Sequence, residues 1–412
     1  MDIIIGAGIS GLSYAAFCGH NNYLIFEQSD RMGGYCKTTE RNGYVWDYSG
    51  HFFHFKDKDI EQFVAQGIPA QDLLTIRKCT QIRYKDRLID YPFQMNIHQL
   101  PQQEFIECLY DLFVNPIKDY TNFQEMLYAK FGKSIADKFL IPYNSKLYAC
   151  DLNTLDKDAM GRFFPYAEKE QIVRNFKASY NDTYNATFVY PKHGAIQYIN
   201  SMASHVNKDA IRLNEGVVAI DSKGHTVTLQ SGERVHYDRL ISTIPFPKLM
   251  ELVGEPQNPS LSWNQVLVFN IGFDKQCLDT KNHWIYFPED KYCFYRVGFY
   301  NNILSADKCS LYVELGFDKH VKVKPEELFL RVLHDLQEAH IISEDMKVVD
   351  YEDILMNPAY VHVSADAAKY VAAKKKQLAQ ADIHSIGRYG SWTYCSIEDN
   401  IKEAKALAAK MN

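Results

Sequence analysis

The sequence lacks three features that would have pointed to other classes of protein. It has no uninterrupted apolar run of about 18 residues or more, which argues against a helix that spans a membrane. It has no basic excess, because 45 lysines and arginines face 51 acidic residues and leave a net charge of −6, so binding to nucleic acid is not expected. It has no Cys-x-x-Cys pair, and its nine scattered cysteines predict reduced thiols in a cytoplasmic protein.

The residues that are present are typical of a globular protein. Hydrophobic residues make up 46% of the chain and charged residues 23%, which argues against a disordered protein. With 412 residues the chain is longer than one compact domain usually is, so we expect two domains or one fold with large insertions. Aromatic residues reach 14%, which is enough to line a pocket for a planar ligand as well as a core.

The first residues carry a dinucleotide-binding pattern. The β-branched run Ile3–Ile5 predicts a buried parallel strand, and it leads into a glycine turn and an apolar-periodic helix. The turn reads Gly6-Ala-Gly8-Ile9-Ser10-Gly11. Gly6 permits a tight turn, Gly8 lets a pyrophosphate approach the backbone, and Gly11 lets the helix pack close to the strand. The pattern therefore predicts that the helix N-terminus binds the phosphates of a dinucleotide.

The residues that follow indicate which dinucleotide is bound. A second strand over residues 23–26 ends at Glu27, whose carboxylate would accept hydrogen bonds from both ribose hydroxyls. The next segment, Gln28-Ser-Asp-Arg31-Met-Gly33-Gly34, resembles the Arg-x-Gly-Gly motif of the FAD-binding amine-oxidase-like superfamily. In that superfamily the turn faces the phosphates and the arginine lies near the diphosphate, so the resemblance favours FAD over NAD. A plain surface charge is the alternative for Arg31.

Two distant segments would complete an FAD site. Residues 211–245 alternate in polarity, which predicts a β-meander that returns to a buried strand. The resemblance implies that the backbone at Val218 meets the adenine and that Thr243 ends the strand beneath the cofactor. Near the C-terminus we predict a helix whose N-terminus stabilises negative charge on the flavin ring. The cofactor residues implied there are Gly387, Arg388, Ser396 (the predicted N-cap), Ile397 and Glu398.

Further motifs, in the same order along the chain, resemble the UDP-galactopyranose mutase branch of this superfamily, which also includes protoporphyrinogen oxidases. Residues 47–54, with Gly50, His51 and His54, resemble the mutase segment that passes the flavin face. Residues 139–148 resemble the end of a helical insertion that covers uridine, residues 190–194 a Pro-x-Gly-Gly turn, and residues 292–297 a strand whose arginine, here Arg296, lies near the flavin and the substrate diphosphate.

Several positions depart from the mutase pattern. Ala195 stands where a tyrosine follows the glycine turn, and Ser396 stands where the last helix begins with an acid. Tyr148 occupies the place of a uridine-stacking tryptophan. The basic pair of the insertion is reduced to Arg162, with Tyr166 near the second position. The resemblance therefore predicts the fold but does not identify the particular sugar nucleotide.

The predicted fold class is α/β. It consists of an FAD-binding Rossmann-like domain, an interleaved mixed-sheet substrate domain and a helical insertion. Residues 100–140 have helical periodicity, and their apolar stripe of Phe105, Leu109, Leu112 and Phe113 is predicted as the core of the insertion. The predicted boundaries are 1–89, 190–260 and 380–412 for the FAD domain, 90–165 for the insertion, and 166–189 and 261–379 for the substrate domain.

The resemblance also implies roles for particular side chains. It implies catalytic roles for His51, His54 and Arg296, and substrate contacts for Tyr148, Arg162 and Tyr394. His51 could instead donate only to a backbone carbonyl, and the pair His51-x-x-His54 has no third ligand near it in sequence, so no metal site is predicted. Tyr180, Tyr184 and Tyr190 could line a substrate channel or belong to the core.

The expected activity follows from the same resemblance. It implies an FAD-dependent mutase that interconverts the pyranose and furanose forms of a nucleotide-diphosphate sugar through reduced flavin, in the synthesis of surface polysaccharide. The alternative is an FAD-dependent oxidase or dehydrogenase of the amine-oxidase or protoporphyrinogen-oxidase type. A mutase consumes no net electrons, whereas an oxidase is reduced by its substrate. The oligomeric state stays open.

Overall fold

The computed structural model describes residues 1–177 and 186–411. Tyr180 and Tyr184 lie outside the described residues. Within these ranges no helix combines the length and apolarity needed to cross a bilayer. No group of three or more His, Cys, Asp or Glu side chains in the described ranges is arranged to hold a metal ion.

The strands of the described chain are numbered here in chain order. They are β1 (Asp2–Ile5), β2 (Tyr23–Phe26), β3 (Thr38–Arg41), β4 (Tyr44–Asp47), β5 (Leu73–Arg77), β6 (Thr80–Tyr84), β7 (Arg87–Asp90), β8 (Thr187–Pro191), β9 (Ile211–Arg212), β10 (Val217–Asp221), β11 (Thr226–Leu229), β12 (Arg234–His236), β13 (Arg239–Ser242), β14 (Ser262–Phe273), β15 (Trp284–Tyr286), β16 (Arg296–Phe299), β17 (Ser310–Asp318), β18 (Val348–Met356), β19 (Val361–His362) and β20 (Ile383–Ser385).

The α-helices are numbered in the same way. They are α1 (Ile9–Phe17), α2 (Lys58–Ala65), α3 (Gln102–Phe113), α4 (Phe123–Ile135), α5 (Ile141–Tyr148), α6 (Lys169–Lys177), α7 (Ile196–Ala203), α8 (Phe246–Leu252), α9 (Tyr300–Leu304), α10 (Pro325–Glu338), α11 (Ala365–Leu378), α12 (Gly387–Gly390) and α13 (Ile397–Met411).

A five-stranded parallel sheet forms the dinucleotide-binding half, in the order β20-β13-β1-β2-β9. The central strand β1 pairs with β13 on one side and with β2 on the other. Parallel sheets are covered on both faces, so the side chains on both sides of β1 should be buried. Ile3 and Ile5 pack on one face, against the meander β10–β12, α8 and α11. Ile4 packs on the other face, against α1, α7 and α13. The predicted buried strand, the meander and the C-terminal helix are all confirmed.

A mixed sheet forms the second half, in the order β18-β14-β17-β16-β15-β6-β7, with β19 added alongside β14. Strand β14 alternates between two cores because successive side chains of a strand point to opposite faces. Val266 and Val268 face the helical region, whereas Leu267, Phe269 and Ile271 face the core that α10 covers. This sheet carries β16, which begins at Arg296 and brings it to the helical side.

The helical region runs from α3 to α6 and packs on the first of these cores. The predicted stripe of α3 is wrong at one position. Leu112 and Cys108 are fully buried, while Phe113 is 51% exposed. Adjacent residues of a helix are about 100° apart, so a helix that buries Leu112 turns the next side chain outward. Leu109 and Phe105 are partly buried.

Sheet pairing places two predicted segments differently from the expected boundaries. Strand β6 lies before the expected boundary at residue 89 and β7 spans it, yet both belong to the mixed sheet, because β6 pairs with β15 and β7 pairs with β6. Helix α11 was expected in the substrate domain, yet it packs on the parallel sheet with Val371 buried there. Long-range strand pairing and core contacts decide both assignments.

One expectation about the cysteines is wrong. Cys277 and Cys309 form a disulfide between the end of β14 and the start of β17. These positions are 32 residues apart and become neighbours only because the two strands pair. Among the described residues the remaining cysteines are free: Cys18, Cys36, Cys79, Cys108, Cys150, Cys293 and Cys395.

The loop between β15 and β16 closes around one lysine of α5. Nζ of Lys146 lies 3.0 Å from the carbonyl oxygen of Phe287, 3.0 Å from that of Glu289, 2.8 Å from that of Tyr292 and 2.6 Å from that of Phe294. An ammonium carries three donors, so it satisfies carbonyls that would otherwise lie unpaired in a partly buried loop. This contact fixes the loop that leads into Arg296.

Replacement of this lysine should destabilise the fold. Lys146→Met removes the three N–H donors that the four carbonyls share. We expect the free energy of unfolding to fall by about 3 kcal/mol. Lys133→Met is the control, because its exposed pair with Asp137 should contribute less than about 1 kcal/mol. Thermal unfolding checks both. Equal melting temperatures for the two variants would contradict this interpretation.

Candidate active site

The glycine turn between β1 and α1 has the geometry of a phosphate cradle. Gly6 has a φ of +100°, which favours glycine. A Cβ on Gly11 would lie 2.1 Å from the carbonyl oxygen of Gly6, so only glycine permits this packing of the helix on the strand. Helix α1 begins directly after Gly8. The backbone amides of its first turn, including those of Ile9 and Ser10, therefore have no acceptor within the helix and face the glycine turn.

Glu27 is held in one position at the end of β2. Its side chain is 7% exposed, and its carboxylate accepts hydrogen bonds of 2.9 Å from the backbone amides of Ala7 and Ser29. Each carboxylate oxygen keeps a further lone pair, so this side chain could accept ribose hydroxyls. The next residue, Gln28, packs its Cβ near Gly216 of the meander.

The second glycine turn is joined to the first. The amide of Gly33 donates to the carbonyl of Ala7 at 2.9 Å. Arg31 is exposed, but it donates to the carbonyl of Thr38 at 3.0 Å and to the hydroxyl of Tyr48 at 3.1 Å, which orients its guanidinium. Gly34 completes the turn, with a φ of +58°.

The meander and the strand β13 supply the two other predicted contacts. The amide of Glu215 donates to the carbonyl of Glu27, and Val218 follows at a bulge in β10, 52% exposed. Thr243 donates from Oγ1 to the carbonyl of Ile5 at 2.8 Å. Thr243 therefore lies at the end of β1, while a contact of Val218 with a cofactor stays a prediction.

The C-terminal segment closes on the first helix. Gly387 has a φ of +86°, and a Cβ there would lie 2.5 Å from Oγ of Ser10. Asn400 Oδ1 accepts from Oγ of Ser10 at 3.2 Å and from the amide of Arg388 at 2.6 Å. Residues from the two ends of the described chain therefore share one site.

The surroundings of Arg388 show whether the residues of this site fit FAD. Its Nε is buried and has no hydrogen-bond partner among the described residues. Its guanidinium carbon lies 4.8 Å from the ring centre of Tyr394, 5.3 Å from that of Tyr360 and 6.0 Å from that of Tyr389. A buried donor without an acceptor is costly, and an acceptor on a bound cofactor would remove that cost. The site fits FAD.

The predicted cap of the last helix is present. Ser396 Oγ accepts from the amide of Asp399 at 3.1 Å, and the amide of Ser396 donates to the Asp399 carboxylate at 2.9 Å, which is a capping box. The carboxylate of Glu398 is already occupied, because it accepts from the amides of Lys56 and Asp57. The Glu398 side chain therefore ties the start of α13 to the segment before α2.

A cavity of about 1200 Å³ lies between the mixed sheet, the helical region and the C-terminal segment. This volume exceeds that of an ordinary small-ligand pocket, about 300–1000 Å³. Its described lining is aromatic and cationic and contains no aspartate or glutamate. The charged and polar lining residues are His54, Arg162, Gln171, Arg174, Lys177 and Arg296.

The two predicted histidines have different positions. His54 lines the cavity, whereas His51 lies behind it, close to Arg388, Arg296 and Glu314. Each Nδ1 donates to a carbonyl, His54 to Thr187 at 3.0 Å and His51 to Ser49 at 3.1 Å. Burial lowers the pKa of both, to about 4 for His51. Both rings are therefore neutral at pH 7, and each Nε2 is left as an acceptor.

Arg296 is held by a buried carboxylate. Its Nε and Nη2 donate to the two oxygens of Glu314 at 2.6 and 2.7 Å, and Glu314 is fully buried. Ser49 donates to the same carboxylate. The bidentate pair fixes the guanidinium at the cavity wall, as a preoriented anion-binding group requires.

The three predicted substrate residues are not equivalent. Arg162 and Tyr394 line the cavity. Tyr148 is 1% exposed and packs in the core against Tyr360 and His362, so it is not among the residues that line the cavity. Substrate contact by Tyr148 therefore stays a prediction.

The sequence motifs missed a cationic group on α6. Gln171, Arg174 and Lys177 line the cavity, although no motif includes them. The spacing of Arg174 and Lys177 places both on one helix face, which was the available signal. Tyr166, which stands near the expected second arginine, also lines the cavity. Ala195 is not among the lining residues. Its backbone amide donates to the buried carboxylate of Asp47 at 3.0 Å.

Comparisons with known proteins agree with this geometry. A family model described as flavin containing amine oxidoreductase matches residues 9–364. A crystal structure of reduced UDP-galactopyranose mutase is similar over 99% of this chain and 92% of that chain, with 25% identity and a TM-score of 0.92.

Curated relatives match over shorter stretches. A zeta-carotene-forming phytoene desaturase of Myxococcus xanthus is 29% identical over 90 residues, which is 21% of this chain and 17% of that protein. Protoporphyrinogen oxidase 1 of Spinacia oleracea is 24% identical over 186 residues, 40% of this chain and 32% of that protein. Both matches span less than a third of the relative's length.

The fold and the site define a flavoenzyme whose cofactor is FAD. The chain belongs to the flavin containing amine oxidoreductase family, since the family model covers most of its length. Within that family its overall structure is similar to that of a UDP-galactopyranose mutase.

The neutral state of His51 should appear in the pH dependence of stability. Its folded pKa of about 4 lies below the ordinary 6.5, so the unfolded chain binds more protons between these values. The free energy of unfolding therefore falls as the pH drops through this window. In His51→Asn the free energy of unfolding should fall by about 2–3 kcal/mol less than in wild type at pH 4.5. Urea unfolding at several pH values measures it, with His320→Asn as the control at an exposed histidine. Parallel curves for His51→Asn and wild type would contradict the assignment.

Proposed function

We propose that the protein is a mutase that acts on a nucleotide-diphosphate sugar and interconverts its pyranose and furanose forms. The observation that carries the proposal is the charge of the cavity. Arg162, Arg174, Lys177 and Arg296 line it, and no aspartate or glutamate occurs in its described lining. A diphosphate carries two negative charges, and planar guanidinium groups suit its oxygens.

The same charge distribution argues against an amine substrate. A protonated amine would face the cations Arg174 and Lys177, and no described carboxylate lines that cavity to receive it. An oxidase with an anionic substrate of the porphyrinogen type remains the second candidate, because its carboxylates would suit the cations and because part of the chain resembles a protoporphyrinogen oxidase.

The residues around the cavity would have separate roles in the proposed reaction. Reduced FAD supplies the electron-rich nucleophile of the reaction when it is bound. Arg296, fixed by Glu314, and Arg162 would hold the diphosphate as it leaves the sugar and returns. His54 would accept a hydrogen bond through Nε2 at the cavity wall. The N-terminus of α13 would favour negative charge on the reduced ring.

The remaining assignments are part of the proposal. The cofactor shell would comprise Gly6, Gly8, Gly11, Glu27, Arg31 and the C-terminal residues described above. His51 would support this shell from behind the cavity wall. We infer a cytoplasmic role in surface polysaccharide synthesis, since nucleotide sugars are activated sugar donors.

Ligand titration in both redox states tests the activity. The dithionite-reduced holoenzyme and the oxidised holoenzyme are titrated with UDP-, GDP- and dTDP-sugars, and products are separated by chromatography. We expect one nucleotide sugar to isomerise in the reduced state while the flavin absorbance shows no net oxidation. Failure of every nucleotide sugar to bind in either state would remove the proposal. Flavin reduction by protoporphyrinogen would support the second candidate instead.

Two variants test the cationic group directly. Arg174→Ala should weaken UDP binding about tenfold while the flavin absorbance stays unchanged, because the side chain lies on the cavity wall away from the cofactor residues. Arg296→Lys keeps a cation beside Glu314 but loses the fork, and a similar loss is expected. Lys169→Ala, on the same helix but outside the cavity lining, is the control and should bind UDP as wild type does. Wild-type affinity in Arg174→Ala would contradict the placement of the diphosphate.

A further inference from the structure

An ion pair joins the helical region to the last helix at the cavity. Arg162 belongs to the 3-10 turn Gly161–Phe163, and Asp399 lies in the first turn of α13, 237 residues further along the chain. Nη2 of Arg162 donates to the two carboxylate oxygens of Asp399 at 2.7 and 2.8 Å. The side chains are 39% and 31% exposed, so the pair can open without burying an unpaired charge.

The pair lies at the edge of the cavity, with Arg162 in the lining and Asp399 next to it. Arg162, Phe163 and Tyr394 all line the cavity. The ring of Phe163 meets the ring of Tyr394 edge-on, with centroids 5.4 Å apart, and the Arg162 guanidinium lies 4.7 Å from the centre of the Phe163 ring. The ion pair and the aromatic contact thus connect the same two segments across one edge of the cavity.

Asp399 is charged and already oriented. Its carboxylate accepts from the amide of Ser396 at 2.9 Å and from its hydroxyl at 2.8 Å. Burial alone would raise the pKa of Asp399, but the hydrogen bonds from Arg162 and Ser396 outweigh it and lower that pKa. If Arg162 leaves, the two donors of Ser396 remain, so the carboxylate keeps partners.

We propose that Asp399 is a positioning residue that holds Arg162 at the cavity edge until a nucleotide diphosphate takes the guanidinium over from it. The inference rests on the proposed function and adds a competing carboxylate to the site. A doubly charged diphosphate attracts the guanidinium more strongly than one half-exposed carboxylate does. Part of the binding energy of the ligand is therefore used to break the Arg162–Asp399 pair, and the exchange links ligand entry to the contact between the helical region and α13.

A double-mutant cycle on the holoenzyme tests this exchange. UDP is titrated by calorimetry into wild type, Asp399→Asn, Arg162→Met and the double variant. We expect Asp399→Asn to bind UDP about fivefold more tightly, because the competitor has lost its charge, and Arg162→Met to bind at least about tenfold more weakly. In the double variant the gain from Asp399→Asn should vanish, so that its affinity equals that of Arg162→Met.

Two controls separate this role from helix capping. Asp399→Gln keeps the preferred capping-box residue type and should tighten binding as Asp399→Asn does. Asp345→Asn removes a carboxylate from an exposed ion pair with Lys275 away from the cavity and should leave the affinity unchanged. Melting temperatures of all variants show whether the fold is retained.

The outcomes are distinct. Unchanged or weaker UDP binding in both neutral variants of Asp399 overturns the inference and leaves the proposed function standing. The same holds if the gain persists without Arg162, since Asp399 would then act by its general field. Wild-type protein that binds neither UDP nor inorganic pyrophosphate overturns this inference together with the proposed function.

Discussion

The close contact between α1 and the segment before α13 is the constraint on which the site depends. One amide oxygen, Oδ1 of Asn400, accepts from Ser10 and from the backbone of Arg388, and Gly387 fits against Ser10 because it has no Cβ. Residues nearly 400 positions apart must meet for either side of the cofactor site to form. The parallel sheet supplies the frame, since β20 and β1 both flank β13.

Charge in the site is organised by carboxylates placed behind the cations. Glu314 fixes Arg296 from the buried side, and Asp399 fixes Arg162 from the end of α13. The two pairs differ in burial. A buried bidentate pair is rigid because separating it leaves an unpaired charge in the interior, whereas a half-exposed pair can exchange partners at low cost. One arginine is therefore held in the interior and the other in a pair open to solvent, although both face one cavity.

The departures from the mutase pattern have structural counterparts. Tyr148 lies in the core next to Tyr360, and the amide of Ala195 donates to the buried carboxylate of Asp47. Neither position contributes a side chain to the cavity lining. Arg174 and Lys177 of α6 add positive charge that the motifs did not contain. The scaffold is similar, whereas the cavity lining differs from the mutase motifs at these positions.

The sequence by itself determined the elements whose physics is local: the glycine turn at Gly6, the alternating strands of the meander, the N-cap at Ser396, and hence the α/β class, while the choice of FAD came from the resemblance of its motifs to a known family. Only the tertiary structure decided features that depend on distant contacts. These include the outward turn of Phe113, the Cys277–Cys309 pair, the pairing of β6 and β7 with the mixed sheet, and the ion pair of Arg162. Local steric rules act within a few residues and leave a signature in the sequence, whereas a contact across 237 positions exists only after the whole chain has packed.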